Sequence, residues 1–308
     1  MTAVLAEMGG RLAERWASML ILPGLVFTLG AAGAWRLGHA HWADLDRLSE
    51  TVGELEAGSA WSVLVVGLPL LSVASALASR SVAAGLSRLW FEPWPRALAW
   101  LGKRLLESRR SRWKAANEEF VKARDEGGAL KAEHGSDSGA VDEDVEASRQ
   151  ERLDALAGRR NAIGLRKPSR PTRMGDRLRA VDQRVWSWYR LDPVFTWPRL
   201  WLVLGEAEQQ TLRAARDRID ASVGLSGWGV LCLVPALWWW PSVFIAVGLF
   251  VVGYRQTRDA VEAFAQLAES AYDLRGATLA RELGFDVPEG PLSQYMGEQI
   301  TAHLRKHS

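Results

Sequence analysis

Long apolar runs alternate with long charged segments along this chain, and the apolar runs come in pairs. The first pair lies at residues 17–37 and 61–87. Each run is close to the roughly 20 residues that a helix needs to cross the hydrocarbon core of a bilayer. No ionisable side chain occurs between Arg15 and Arg36. We therefore predict an N-terminal transmembrane hairpin over residues 1–88.

A third apolar stretch, residues 223–254, is too long for one straight membrane span. Pro235 interrupts it, and the sequence Trp238-Trp239-Trp240-Pro241 is typical of a turn at a membrane interface, where Trp rings prefer to lie. The pattern predicts a second transmembrane hairpin and four spans in all. The predicted fold class is an all-α integral membrane protein with two helical hairpins and a helical cytoplasmic domain.

The orientation follows from the basic residues, because short loops rich in Lys and Arg stay on the cytoplasmic side. The loop at 39–60 carries five acidic residues and one base, Arg47. Bases are dense directly after the second span, from Arg88 to Lys114. We expect a multi-pass protein of the plasma membrane with both termini in the cytoplasm.

The region at 89–222 holds 26 of the 38 Lys and Arg residues and 21 of the 36 acidic residues, so it is predicted to be a basic cytoplasmic domain. Trp94, Leu98, Leu101 and Leu105 recur at helical spacing, which indicates a helix lying on the membrane surface. The polar residues at 127–140 show no such period and predict a mobile loop.

The strongest basic cluster runs from Arg159 to Arg179, with eight bases and one acid, Asp176. Anionic lipid is the favoured partner, and pairing with the acidic block at 137–146 is the alternative. Nucleic acid is not expected, because no nucleic-acid-binding motif accompanies the bases. The bases predicted to contact anionic lipid are Arg96, Lys103, Arg104, Arg109, Arg110, Arg166, Lys167, Arg170 and Arg173.

Tryptophan is enriched, with 16 Trp against 4 Tyr. Most of these rings fall at the ends of predicted spans or in segments expected at the membrane surface, so they are predicted to anchor the protein at the interface. Ordinary packing of aromatic rings is the alternative. The predicted anchors are Trp94, Trp197, Trp201, Trp238, Trp239 and Trp240.

The C-terminal segment, 255–308, is predicted to leave the membrane as a helical stalk. Apolar residues before the third span and after the fourth, such as Leu212 and Leu267, form stripes that can meet in a short coiled coil. A last amphipathic helix is expected from Pro291 to Lys306.

Recognisable catalytic chemistry is sparse. The sequence contains no Walker loop, dinucleotide-binding fingerprint, His-Glu-x-x-His motif or Gly-x-Ser-x-Gly motif, so neither an enzyme nor a cofactor is expected. His39, His41 and Asp44 form a weak candidate metal site. The single cysteine, Cys232, lies in an apolar run and is expected to act as a small apolar residue.

Four segments carry a resemblance to a known family: Arg170–Arg177, Tyr189–Asp192, Trp197–Trp201 and Trp238–Pro241. They resemble a family of actinobacterial multi-pass membrane proteins of unknown function, over roughly residues 165–285. The resemblance implies a plasma-membrane location and cytoplasmic exposure of the first three segments. It implies no catalytic residues.

The leading functional hypothesis is a non-enzymatic membrane protein whose cytoplasmic domain docks on the inner leaflet and binds itself or a membrane protein partner. Such a protein would act in scaffolding, in sensing or as an accessory subunit. The rival hypothesis is an oligomeric channel or a membrane-permeabilising effector, which small residues on the first two spans would permit.

Overall fold

Helices form all the regular structure in the described part of the chain. The computed structural model describes residues 22–44, 46, 61–133, 141–287, 290 and 292–306. These ranges hold nine α-helices, two short 3-10 helices and no strand, so the all-α prediction is confirmed for them. The helices are α1 Leu22–Leu37, α2 Trp61–Phe91, α3 Ala99–Glu133, α4 Val141–Ile163, α5 Arg173–Tyr189, α6 Pro193–Val203, α7 Glu206–Leu231, α8 Ser242–Glu282 and α9 Gln294–Arg305, with 3-10 turns at Arg96–Leu98 and Pro235–Leu237.

The chain divides into two compact units, each built from two separate segments. The first unit combines Met1–Ser87 with Arg218–Thr257, and the second combines Arg88–Asp217 with Arg258–Ser308. The segment at 255–308, predicted as a separate stalk, therefore belongs almost entirely to the same unit as the basic region.

Two segments of the described residues are long and apolar enough to cross a membrane, Val66–Phe91 and Glu206–Leu237. The first supports the predicted span at 61–87. The predicted span at 17–37 begins outside the described residues, and the apolar part of α8 is followed by charged residues from Arg255. Four spans are thus not shown.

Small residues let the helices of the first unit approach closely. Gly24 of α1 lies against the backbone of Ser72 in α2, and the Ser72 side chain is fully buried. A Cβ atom added at Gly227 of α7 would lie 2.8 Å from the carbonyl oxygen of Ser79 in α2. The small faces predicted on the first two spans therefore serve helix packing, as is common between membrane helices.

Helices α7 and α8 pack side by side in the first unit. A Cβ atom added at Gly229 would lie 2.7 Å from the backbone nitrogen of Phe250, and the buried Thr257 hydroxyl donates to Ser222 Oγ at 2.9 Å. Residues 232–241 connect the two helices. The turn is longer than the predicted one at 238–241, because α7 already ends at Leu231 and Pro235 begins a 3-10 turn.

The second unit has a core of large apolar side chains from α5 to α9. Leu200 of α6 and Ile300 of α9 are completely buried, and Tyr272 of α8 is nearly so. Burial of each such side chain stabilises the fold by about 1.5–3 kcal/mol. The apolar stripe predicted for the last helix is confirmed, and it faces this core through Ile300 and Leu304.

Helix α9 docks on the carboxyl end of α5. Gly297 lies against the carbonyl group of Tyr189, where no side chain would fit. Arg190 ends α5 in the left-handed conformation, with φ at 56°. The Thr301 hydroxyl donates to the Arg190 carbonyl at 2.8 Å and accepts from the Asp192 amide at 3.1 Å. The last helix thereby satisfies polar groups that the end of α5 leaves open.

Helices α3 and α4 form a long antiparallel hairpin. Arg160 of α4 lies over the ring of Phe120 in α3, at 4.6 Å from its centroid. Helix α3 continues to Glu133, so the loop predicted from residue 127 is wrong for 127–133, while 134–140 lie outside the described residues. A Gly in a helix costs only about 0.5–1 kcal/mol relative to Ala.

Candidate anion-binding site

Residues 164–172, which connect α4 to α5, carry three of the bases predicted to contact lipid, and we call this segment the basic loop. Asp176, in the first turn of α5, holds its backbone in place. Asp176 Oδ1 accepts from the backbone amides of Ser169 at 2.8 Å and Arg170 at 2.7 Å. The amino end of a helix favours a carboxylate. One acidic side chain therefore orders a basic segment.

Arg109 of α3 fastens the basic loop from the other side. Its guanidinium donates to Asp176 Oδ2 and the Arg170 carbonyl, both at 2.6 Å, and to the Ile163 carbonyl at 2.8 Å. The side chain is only 17% exposed. The predicted lipid contact at Arg109 is thereby corrected, since these partners occupy its guanidinium. The carboxylate that Arg109 binds is that of Asp176, which lies outside the acidic block at 137–146.

Two more side chains of α3 bind the basic loop. Arg110 Nε donates to the Pro168 carbonyl and Trp113 Nε1 donates to the Gly164 carbonyl, each at 2.9 Å. Arg110 is otherwise exposed. The loop carbonyls thus find donors in α3, as buried or half-buried carbonyl groups require.

Thr172 joins the end of the basic loop to the end of α2. It is the N-cap of α5, where its Oγ1 accepts from the Gly175 amide at 3.2 Å. The same hydroxyl donates to the carbonyl of Trp90 in the last turn of α2. Loss of such a cap typically costs about 1 kcal/mol.

A cavity of about 300 Å³ lies beside the basic loop, and we call it the anion pocket. Its lining combines basic and apolar side chains, and no acidic residue of the described chain takes part in it. The lining includes Trp94, Gly102, Lys103, Leu106, Arg170, Pro171 and Arg179. Three predicted lipid-binding or anchoring residues, Trp94, Lys103 and Arg170, are thus brought together.

Arg170 lacks partners for part of its guanidinium. Its Nε and Nη1 atoms are buried and make no hydrogen bond with any described residue. Burial raises the pKa of Asp182, and the nearby charges of Arg179 and Arg170 oppose that rise. Three cations and no acidic residue of the described chain line the pocket, so it favours an added anion.

A second cavity, of about 280 Å³, also borders the basic loop. Arg166, Lys167 and Arg173 line it, together with the acidic side chains of Asp176 and Glu262. Its charge is therefore mixed, which makes it a weaker candidate for anions than the anion pocket.

A polar network joins α5 to α8 behind this second cavity. Arg177 donates to Glu269 at 2.7 Å, and Glu269 also accepts from Arg184 at 2.9 Å. Tyr189 donates to Asp273 at 2.7 Å at the end of the network. Burial, and then the hydrogen bond to Asp273, raise the pKa of Tyr189 to about 12. These contacts join α5 to α8 within the second unit, while Nε of Arg184 is buried without a hydrogen-bond partner among the described residues.

The remaining predicted lipid contacts divide into two groups. Arg166, Lys167 and Arg173 line the second cavity, and Arg166 also donates to Ser187 Oγ at 3.3 Å. Arg96 and Arg104 are exposed and line neither cavity. The predicted set therefore does not form one continuous site in the described structure.

Two predicted anchors, Trp197 and Trp201 of α6, pack against the core of the second unit. Their ring centroids are 6.3 Å apart, and Trp197 lies 6.0 Å from Tyr272. Both rings therefore make the ordinary packing contacts that were the alternative to anchoring at the membrane interface. The large apolar side chains that α6 exposes are Val194, at 77%, and Leu202, at 81%.

The other three anchors, Trp238 to Trp240, contact the last turn of α1 and the segment that follows it. Trp238 stacks edge-on with Trp35 at 5.3 Å, and Trp240 with Trp42 at 5.5 Å. Trp239 Nε1 donates to the Trp42 carbonyl at 3.0 Å. We call this group of rings the Trp cluster.

The weak metal candidate at His39, His41 and Asp44 is not assembled. His39 Nε2 lies 3.0 Å from the Leu237 carbonyl and donates to it, so that nitrogen is not available as a ligand. Across the described residues, no group of three or more His, Cys, Asp or Glu side chains could hold a metal ion.

Sequence reasoning missed two residues of the site. Asp176, the single acid in the basic cluster, orders the loop, and Arg179 contributes the third cation of the anion pocket. A lone carboxylate within a run of bases, in the first turn of a predicted helix, was the available signal for Asp176. Nothing in the sequence separates Arg179 from the bases around it.

Comparison with protein-family models, curated proteins and solved structures gives no match for this chain.

Proposed function

We propose that the protein is a non-enzymatic integral membrane protein whose helical cytoplasmic domain docks on anionic lipid of the inner leaflet, in a scaffolding, sensing or accessory role. The observation that carries this proposal is the anion pocket. Its Trp94 follows closely after Phe91, the end of a segment long enough to cross a bilayer. Trp rings and bases at the end of a span suit the headgroup region.

Electrostatics supports docking on an anionic surface. Each Lys or Arg near such a surface contributes about 1 kcal/mol of attraction. The anion pocket contains three cations, and Arg96 and Arg104 add exposed charge nearby in sequence.

The membrane topology belongs to the same proposal. We infer four spans, at 17–37, at 61–87 and two within 223–254, in the plasma membrane with both termini cytoplasmic. The outward side chains of the first unit support this, since Leu70 is 66% exposed and Phe244 is 69% exposed. Large apolar surfaces of this kind require a cover, which the bilayer provides.

Hydrogen exchange of the full-length protein in nanodiscs tests the docking. Zwitterionic nanodiscs are compared with nanodiscs that contain phosphatidylglycerol, and the exchange of peptides covering 159–179 is followed. We expect slower exchange in the anionic nanodiscs. A charge-reversal variant should abolish the difference, with Glu in place of Arg166, Lys167, Arg170 and Arg173.

A matched variant controls for total charge. It carries four Glu substitutions at exposed bases of the α3–α4 hairpin, namely Lys114, Lys122, Arg124 and Arg152. We expect it to keep the lipid-dependent protection. Equal exchange in both kinds of nanodisc, or equal loss in both variants, would contradict docking through the basic loop.

A further inference from the structure

We propose that the anion pocket is a discrete site for the phosphate group of one anionic phospholipid. This inference rests on the proposed function and narrows it, from a general attraction to the leaflet to one bound headgroup. A diffuse basic surface attracts anionic lipid without holding any single molecule. A pocket with directed donors binds one phosphate with a defined geometry.

The donors in the anion pocket match a phosphate. Arg170, Lys103 and Arg179 bring three positive charges to one cavity of about 300 Å³, and no acidic residue of the described chain lines it. Guanidinium groups bind phosphate oxygens through paired N–H donors. All three side chains line the same cavity as Trp94, so an oxyanion there would meet cations from α3, the basic loop and α5.

The pocket is built before any ligand arrives. Asp176 accepts the Arg170 amide at 2.7 Å, and Arg109 donates to the Arg170 carbonyl at 2.6 Å. These contacts fix the Arg170 backbone on both sides. Binding then requires ordering of few additional groups, which favours affinity.

Close packing of α3 completes the pocket. At Gly102, an added Cβ atom would lie 3.4 Å from the Trp94 Cβ atom and 3.5 Å from Pro171 Cγ. Any larger side chain here would therefore extend toward the pocket walls. The glycine keeps the space between Trp94 and Pro171 open.

Apolar side chains in the lining favour a lipid over a free phosphate ion. Trp94 and Leu106 line the pocket together with the bases. The Trp94 ring is held in place because its Nε1 donates to the Leu89 carbonyl at 2.8 Å. A phospholipid presents a glycerol group and acyl chains beside its phosphate, and these suit an interfacial Trp.

The test uses full-length protein in mild detergent and a short-chain phosphatidylglycerol as the probe. Native mass spectrometry counts the bound lipids, and calorimetry measures affinity. We expect one tightly bound lipid per chain. Arg170→Gln should weaken binding about tenfold or more, since it removes a charged hydrogen-bond donor. Arg166→Gln, an equal charge change at a base that lines the second cavity and not the anion pocket, should weaken it less than about threefold.

Each alternative outcome is informative. Equal weakening by Arg170→Gln and Arg166→Gln would overturn the discrete pocket while leaving surface docking intact. Binding unaffected by either change would overturn both proposals. Inorganic phosphate that binds as tightly as the lipid would overturn the lipid as the ligand. Because Arg170 is partly buried, the exposed Arg179→Gln variant repeats the test without risk to folding, and it too should weaken binding selectively.

Discussion

Replacing Asp176 by asparagine tests whether one carboxylate holds the basic loop in place. The side chains of Asp176 and its partner Arg109 are 12% and 17% exposed, so the ion pair is largely buried. Asparagine keeps an oxygen that can accept the amides of Ser169 and Arg170. It removes the negative charge that faces Arg109.

The expected loss of stability follows from these contacts. Removing one partner of a buried ion pair costs about 3–5 kcal/mol. Arg109 keeps two carbonyl acceptors and some contact with water, so we expect a smaller loss, about 2–3 kcal/mol. For a unit of this size, about 2–4 °C of Tm per kcal/mol gives a fall of about 4–12 °C.

Thermal unfolding of full-length protein in detergent, followed by Trp fluorescence, measures this change. Asp125→Asn is the matched control, because Asp125 pairs with its neighbour Arg124 at the surface, where both side chains are more than half exposed. It should change Tm by no more than about 2 °C. If the Asp176→Asn variant has the same Tm as the wild type, the carboxylate does not order the basic loop.

Three further predictions concern other parts of the chain. Leu200→Ala should lower the free energy of unfolding by about 2–5 kcal/mol, because Leu200 is completely buried. Leu202→Ala should change it by less than about 0.5 kcal/mol, because Leu202 is 81% exposed. Thermal unfolding compares the two variants. Tyr189 has a folded pKa of about 12, above its ordinary value of 10.0, so it stabilises the fold below pH 10. This contribution is lost as the pH rises toward 12. The Tyr189→Phe variant should therefore lose less Tm over that alkaline range. Cys232 lines an apolar cleft of the first unit, so it should react with an uncharged maleimide and resist a charged thiosulfonate in intact membranes.

Helical periodicity predicted the elements of the fold well where apolar positions were clear. The stripe through Ile300 and Leu304 became the buried face of α9 as expected. The end of α3 was misjudged, because the helix continues through Gly127 and Gly128 to Glu133 although glycine has a low helix propensity. Pattern reasoning also could not show that α8 and α9 complete the core of the basic region, since contacts between distant segments leave no local periodicity.

The residue types that form the candidate site could be predicted from the sequence, but the arrangement of their side chains could not. The bases and Trp94 were found because lipid-binding segments have a characteristic composition. Their sequence gave no means of separating Arg109, which is held by Asp176, from Arg170, which faces a cavity. That distinction depends on which side of a loop each side chain occupies.

The Trp cluster also has a consequence for the order in which contacts form during biosynthesis. The hydrogen bond from Trp239 to the Trp42 carbonyl joins positions 197 residues apart, and the one from His39 to Leu237 joins positions 198 apart. At about 5–20 residues per second, a ribosome needs roughly 10–40 s to make the intervening chain. Throughout that time the segment after α1 waits without its partner. Both hydrogen bonds can therefore form only after residues 237–239 have been made, so these contacts between the two segments of the first unit follow the synthesis of everything between them.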